Sequence, residues 1–238
     1  MEKAVLITGA GQRIGFYLAE QFLQQTAYPV LFTYRTFRPE VQALQDLGAV
    51  GIQVDFNQPQ AMSKLEAALQ SVQSLRGVIH NASIWETDAE VAAHPELWEQ
   101  LFTVHAKVPY EVNQLCEPWL LRAVEQGERA DIVHITDCKA KRGAADYAAY
   151  LASKAALSSL TQSFAKRFAP NIKVNEIAPG LILFNEEDDE IYRQDRLAKN
   201  AIPIEPGPEV IWQTVDYLFK NIYATGTVIE LGQLVKNE

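Results

Sequence analysis

The sequence predicts an α/β fold: a doubly wound parallel sheet of about seven strands with helices on both faces. Three observations predict it. Apolar runs of strand length alternate with helical patterns along the whole chain. Several of those runs are apolar at consecutive positions, as strands covered on both faces are. A glycine-rich turn joins the first run to the first helical stretch.

In chain order, the strands are expected at Ala4 to Ile7, Val30 to Tyr34, Val50 to Val54, Gly77 to Ile79, Ile132 to Ile135, Ile172 to Val174 and Val228 to Leu231. Helical periodicity falls near 12–25, 38–47, 58–73, 95–126, 147–168 and 207–221. No linker or repeat interrupts the series, so residues 1–238 read as one domain. The longest irregular stretch runs from about Ala178 to Pro208, and a segment that long in a compact domain is usually functional, here a lid near 180–206. Within it the acidic run from Asn185 to Glu190 reads as the first turn of a short helix, Glu186 to Lys199.

Composition narrows the function. The chain has 48% hydrophobic and 21% charged residues and a net charge of −9, which is globular and lacks the basic face that nucleic acid requires. No apolar run is long enough to cross a bilayer, so no membrane is expected. Cys116 and Cys138 have neither paired-thiol nor metal-ligand spacing, the opening residues lack the marks of a signal peptide, and a cytoplasmic location follows. With so negative a chain, any anionic ligand must be held by a few local cations.

The turn Thr8-Gly9-Ala10-Gly11-Gln12-Arg13-Ile14-Gly15 lies between a strand and a helix, the context in which glycines let backbone N–H groups approach a pyrophosphate. At the end of the second strand, where a carboxylate selects NAD, the chain carries Tyr34-Arg35-Thr36. Arg35 can pair with a 2′-phosphate, Thr36 can hydrogen-bond to it, and Arg13 adds a second cation, so NADP(H) is the expected cofactor. Asp55, followed by Phe56, ends the third strand where an adenine edge would lie. Tyr150 and Lys154, four apart on a helix, are neighbours, and the ammonium is expected to lower the phenol's pKa and make it a better proton donor. Tyr147 is close in sequence but lacks that spacing.

These marks, with His80-Asn81-Ala82-Ser83 and Pro179-Gly180-Leu181 after a sixth strand, resemble the short-chain dehydrogenase/reductase family over essentially the full length. The resemblance implies that Gly9, Gln12, Ile14, Gly15, Tyr34, Phe56, Asn81, Ala82, Pro179, Gly180 and Leu181 join the cofactor site, and that Tyr150 and Lys154 are catalytic. Three departures narrow it to the pteridine reductase branch: Arg13 at a family glycine, Asp137 thirteen residues before the tyrosine where serine is usual, and Asn81-Ala82-Ser83 followed by an aromatic, Trp85. The stretch from Ala178 to Glu186 is most similar to bacterial members acting on dihydromonapterin, with Gly180 where those carry serine.

The implied function is NADPH-dependent reduction of a dihydropterin, dihydromonapterin or dihydrobiopterin with weak dihydrofolate reduction, in tetrahydropterin biosynthesis. Asp137 would accept from the pterin's N–H groups or relay a proton, Trp85 would stack on it, and Arg13, Ser83 and Tyr150 would complete its site. No metal is expected. His105 stands where many family members carry an asparagine that holds the lysine through water; a relay and a satisfied core histidine are both open. Lys139, Lys141 and Arg142 read as a solvated loop. The tail keeps Thr225-Gly226 but reads Glu230-Leu231-Gly232-Gln233 in place of an acid and two glycines. The family implies a homodimer or homotetramer through its long central helices. A carbonyl or oxoacyl reductase, and a non-enzymatic NADP(H) sensor on the same fold, are the alternatives.

Overall fold

The computed structural model describes residues 1–232. Seven parallel strands form one sheet: β1 (Ala4–Ile7), β2 (Val30–Tyr34), β3 (Val50–Gln53), β4 (Leu75–His80), β5 (Ala130–Ile135), β6 (Ile172–Pro179) and β7 (Val228–Leu231), in the order β3-β2-β1-β4-β5-β6-β7. The order reverses between β1 and β4, and the crevice at such a switch point, beyond the carboxyl ends of the strands, is where an open parallel sheet binds ligands.

Strand alternation divides the core. Val5 and Ile7 point to a layer with Phe22, Phe32, Trp212 and Phe219, beneath α1 (Arg13–Gln25), α2 (Pro39–Asp46) and α9 (Glu209–Lys220). Ala4 and Leu6 point the other way, to Leu65, Val112, Leu120 and Phe164 of α3 (Ala61–Leu69), α6 (Val108–Glu125) and α7 (Ala148–Phe168). Both faces of the central strands are therefore covered, which is why β1 runs apolar from Ala4 to Ile7.

The expected strands at 77–79, 132–135 and 172–174 are too short. The real strands extend over Leu75, Arg76, Ala130, Asp131 and the whole of Asn175 to Pro179. Charges look like strand ends in a sequence, but these ones neutralise each other: Asp131 on β5 is fully buried between Arg76 of β4 at 2.5 Å and Lys173 of β6 at 2.6 Å. Arg76 and Lys173 also donate to the carbonyls of Phe219 and Leu218, tying the end of α9 to the sheet. This cluster sits at the opening ends of the strands, at the pole away from the switch-point crevice.

The helical stretch 95–126 is not one helix. It divides into α5 (Glu96–Phe102), a π turn (Thr103–Lys107) and α6. Pro109 has no N–H for the carbonyl four residues earlier, that of His105, and the ladder shifts so that Val108 bonds Thr103 instead. A short helix, α4 (Asp88–Ala93), was not expected; its signal is Thr87-x-x-Glu90, and Thr87 Oγ1 does accept the Glu90 N–H at 3.1 Å. The last short helix, α8 (Glu190–Lys199), starts later than Glu186, because Asp189 is its cap and Asp188 instead closes a turn onto the Asn185 N–H. Gln233 of the tail lies outside the described residues. Among the described residues no helix is long and apolar enough to cross a membrane.

Candidate active site

A cavity of about 690 Å³ opens at the carboxyl ends of the strands, and the residues singled out in the sequence line it. On one side lie Gly9, Gln12, Arg13, Ile14 and Gly15 of the first turn, with Tyr34, Arg35, Thr36, Asp55 and Phe56 beyond them. On the other lie Asn81, Ala82, Ser83, Trp85, Asp137, Tyr150, Lys154, Pro179, Gly180 and Leu181.

The glycine turn is built by close approach. Gly9 has φ +69°, and a Cβ there would lie 2.6 Å from the Ala82 backbone. At Gly15 a Cβ would meet the Asn81 amide at 2.4 Å, so the start of α1 packs directly on the loop after β4. Asn81 Nδ2 donates to the carbonyls of Thr8 and Gly9, and Thr8 Oγ1 accepts the N–H groups of Asn81 and Ala82, so this pair staples the turn. The first turn of α1 has no side-chain cap and no acidic residue. Its free N–H groups and the positive end of its dipole fit an anionic pyrophosphate. At the ribose end, Arg35 and Thr36 are exposed and Arg38, a cation that no motif marks, joins them in the lining. That donor set fits a 2′-phosphate. Asp55 Oδ1 accepts the Asn57 N–H at 3.0 Å.

Arg13 lines the cavity with Arg35. It holds φ +53°, a left-handed conformation costing on the order of 1 kcal/mol for a residue with a Cβ, which is why glycine is usual there. Its guanidinium donates to Asn185 Oδ1 at 2.9 Å and to the Leu183 carbonyl at 3.3 Å. It ties the glycine turn to the 183–185 segment.

Tyr150, Lys154 and Asp137 come together as the register required. Tyr150 Oη lies 3.3 Å from Asp137 Oδ2, while Asp137 Oδ1 accepts the Lys139 N–H at 2.8 Å. Lys154 is buried, its Nζ 5.8 Å from the Tyr150 ring centroid and donating to the Ile135 carbonyl at 3.1 Å. The expected lowering of the phenol's pKa is overturned. Burial, and then the Asp137 charge, push Tyr150 well above the usual tyrosine range. The carboxylate at the hydroxyl favours neutral phenol more than the ammonium over the ring favours phenolate. Burial also raises Asp137 and lowers Lys154 to about 8.

The rest of the wall is aromatic and polar. Trp85, 56% exposed, packs on Tyr147 with centroids 4.9 Å apart, so the tyrosine set aside for its spacing is a partner of the predicted stacking residue. Phe184, Tyr192 and Arg196, from the segment after β6 and from α8, also line the cavity; they fall within the expected lid, and no motif marks them singly. His80 faces inward to Asn113 at 2.8 Å, and His105 is a buried, bonded residue touching Ser83 and Ser153. At Gly180 a Cβ would sit 2.6 Å from the Gly232 carbonyl, which accounts for glycine there. Of the basic loop, Arg142 meets Glu230 at 3.7 Å and Lys139 reaches the cavity rim.

Comparison with known proteins agrees with this geometry. The family model described as short chain dehydrogenase matches residues 3–194. A dihydromonapterin reductase of Klebsiella pneumoniae is 44% identical over 226 residues, covering 94% of this chain and 92% of that protein. One from Escherichia coli K12 is 42% identical over 224 residues, covering 93% and 92%. Among solved structures, the alternative dihydrofolate reductase 1 of Brucella canis, complexed with NADP, is similar at a TM-score of 0.84 and 26% identity, covering 97% of this chain and 92% of that one.

Proposed function

The chain belongs to the short-chain dehydrogenase family, and on that premise we infer that it is an NADPH-dependent pterin reductase that converts a dihydropterin to the tetrahydropterin. Dihydromonapterin is its substrate by likeness to the relatives of that name, and dihydrofolate a weaker one. The observation that carries the reading is Asp137 at the Tyr150 hydroxyl. A ketone oxygen asks its wall for donors. A dihydropterin presents amide N–H and amino groups, which ask for acceptors, and a carboxylate is an acceptor.

In this reading the unfilled N–H groups of α1 hold the cofactor's pyrophosphate and Arg35, Thr36 and Arg38 its 2′-phosphate. Asp55 and Phe56 border the adenine, and Pro179, Gly180 and Leu181 border the nicotinamide. NADPH, when bound, supplies a hydride to the carbon of the substrate's C=N bond. Tyr150 Oη gives its proton to the adjacent nitrogen. After the transfer Asp137, an acceptor while the substrate binds, takes up a proton, for which its burial raises its affinity, and passes it to the phenolate across the 3.3 Å contact. Lys154 orients the nicotinamide ribose, and its charge steadies the phenolate while the proton is away. Trp85, backed by Tyr147, covers one face of the pterin and excludes water. The segment 180–206, carrying Phe184, Tyr192 and Arg196 and tethered by Arg13, is the lid. Residues 1–238 act as one cytoplasmic domain, and the exposed Trp98 and Tyr110 beside the central helices support association into a homodimer or homotetramer.

The test is NADPH consumption with dihydromonapterin, dihydrobiopterin, dihydrofolate and simple ketones, in the wild type and in Asp137→Ser. Pterin turnover that falls by about a hundredfold in the variant, the scale of losing a charged transition-state contact, is expected. Turnover of ketones alone by the wild type refutes the reading.

A further inference from the structure

Hydrogen bonds around His105 fix the direction of the protons in the wall beside Tyr150. His105 is buried in the π turn, with Nδ1 2.8 Å from Ser153 Oγ and Nε2 2.8 Å from Ser83 Oγ. Ser153 Oγ lies 2.6 Å from the Tyr150 carbonyl, which can only accept. A hydroxyl has one proton. Ser153 gives it to that carbonyl, so it accepts from His105, and the imidazole proton sits on Nδ1. The opposite side of the ring leads independently to the same tautomer: the Ile84 N–H points at Nε2 from 3.3 Å and requires a lone pair there. Burial first, and then the Lys154 charge, hold His105 well below the usual histidine range, so the ring is neutral and has no second N–H. Ser83 is left to donate to Nε2 at 2.8 Å, a closer acceptor than the Ile84 carbonyl at 3.3 Å, and the lone pairs of its oxygen are left to the cavity it lines.

We propose that His105 is a positioning residue that sets the polarity of Ser83, making its hydroxyl an acceptor toward the cavity and so favouring substrates that present N–H groups over those that present a carbonyl oxygen. With Ser83 so turned, the wall offers two acceptors, Ser83 Oγ and Asp137 Oδ2, and one hydroxyl donor, Tyr150. A ketone oxygen there would find one donor and two repelling lone pairs. The edge of a dihydropterin finds both acceptors. The proposal rests on the pterin reading and adds the device that selects for it. The opposite polarity, Ser83 donating to Tyr150, needs the proton on Nε2, where it would face the Ile84 N–H donor to donor.

Reach distinguishes the variants. An asparagine amide extends only as far as the Nδ1 position and can satisfy Ser153 but not Ser83. A glutamine amide reaches the Nε2 position and can offer Ser83 an acceptor.

The first measurement is ¹⁵N NMR of histidine-labelled full-length protein bound to NADP⁺, with the His105 signals assigned through His105→Gln. The expected pattern, unchanged from mildly acidic to mildly alkaline pH, is Nδ1 protonated and Nε2 bare; a protonated Nε2 overturns the proposal. The second is steady-state kinetics on dihydromonapterin. His105→Asn and Ser83→Ala are each expected to raise KM about tenfold, the worth of one neutral hydrogen bond, with kcat changed far less. The double variant should be no worse than either single one, because both break the same contact. His105→Gln should restore most of the KM. Additive losses, or a glutamine no better than asparagine, overturn the proposal. If the wild type turns over no dihydropterin, the functional reading fails by itself, and the tautomer still decides the polarity.

Discussion

Asp131→Asn should cost the protein much of its stability while leaving its chemistry alone. Asp131 is fully buried and is the anion between two cations, Arg76 at 2.5 Å and Lys173 at 2.6 Å. Asparagine keeps the shape and removes the charge. Arg76 retains Glu128 at 3.6 Å and the Phe219 ring at 4.5 Å, so its loss is cushioned. Lys173, 9% exposed, retains only the carbonyls of Leu218 and Asn221, both at 2.7 Å. Removing one partner of a buried pair costs about 3–5 kcal/mol, and the remaining contacts point to the lower end, about 3 kcal/mol. For a domain of this size each kcal/mol moves Tm by about 2–4 °C, so a fall of about 10 °C is expected. The cluster lies at the opening ends of β4, β5 and β6, and the cavity lies at their closing ends. At a temperature where the variant is folded, kcat/KM should therefore stay near that of the wild type. Thermal unfolding at fixed protein concentration, with NADPH oxidation measured well below Tm, reads both quantities. A Tm within a few degrees of the wild type, or a loss of activity in the folded variant, refutes the reasoning.

Three other outcomes are expected. Arg35→Asp should raise KM for NADPH by about a hundredfold, replacing a charge-assisted contact with a repulsive one, and change KM for NADH little; equal effects on both cofactors would exclude a 2′-phosphate contact. Trp85→Ala should raise KM for the dihydropterin about tenfold with little change in Tm, since the ring is 56% exposed and packs chiefly on Tyr147; an unchanged KM places the pterin elsewhere. The pH dependence has opposite signs for activity and stability. Lys154 loses its proton as pH rises through about 8, so kcat/KM for NADPH, which reports the free enzyme, should fall above that pH. The unfolded chain holds that proton up to about 10.5, so unfolding takes up a proton between the two values and this lysine's contribution to stability rises with pH in the same window. A pH–rate profile flat through that range would show that Lys154 titrates elsewhere.

Much of this was legible in the sequence where short-range sterics decide the outcome. Apolar runs gave the strands, the glycine spacing gave a turn that only residues without a Cβ can make, and a four-residue interval put Tyr150 and Lys154 on one helix face. The thirteen-residue register placed Asp137 at the phenol because the loop after β5 returns to the first turn of α7. The sequence misled where a residue's state depends on a distant partner. Arg76 and Asp131 fell outside the expected strands because each was weighed alone, although with Lys173 they neutralise one another across three strands. Pro109 gave warning of the π turn, but the turn matters through Ser83 and Ser153, which His105 meets only in the folded chain.

Protonation and direction belong to the same class. The sequence by itself determined which groups stand at the site: a phenol, an ammonium, a carboxylate and a cation in the glycine turn. Only the tertiary structure decided that the phenol is pushed up rather than down, that Arg13 reaches the 183–185 segment, and that His105 stands between Ser83 and Ser153. The physical reason is range. Backbone sterics act over a few residues, whereas desolvation and hydrogen-bond polarity are set by whatever folding brings within about 3 Å, however far away it lies in the chain.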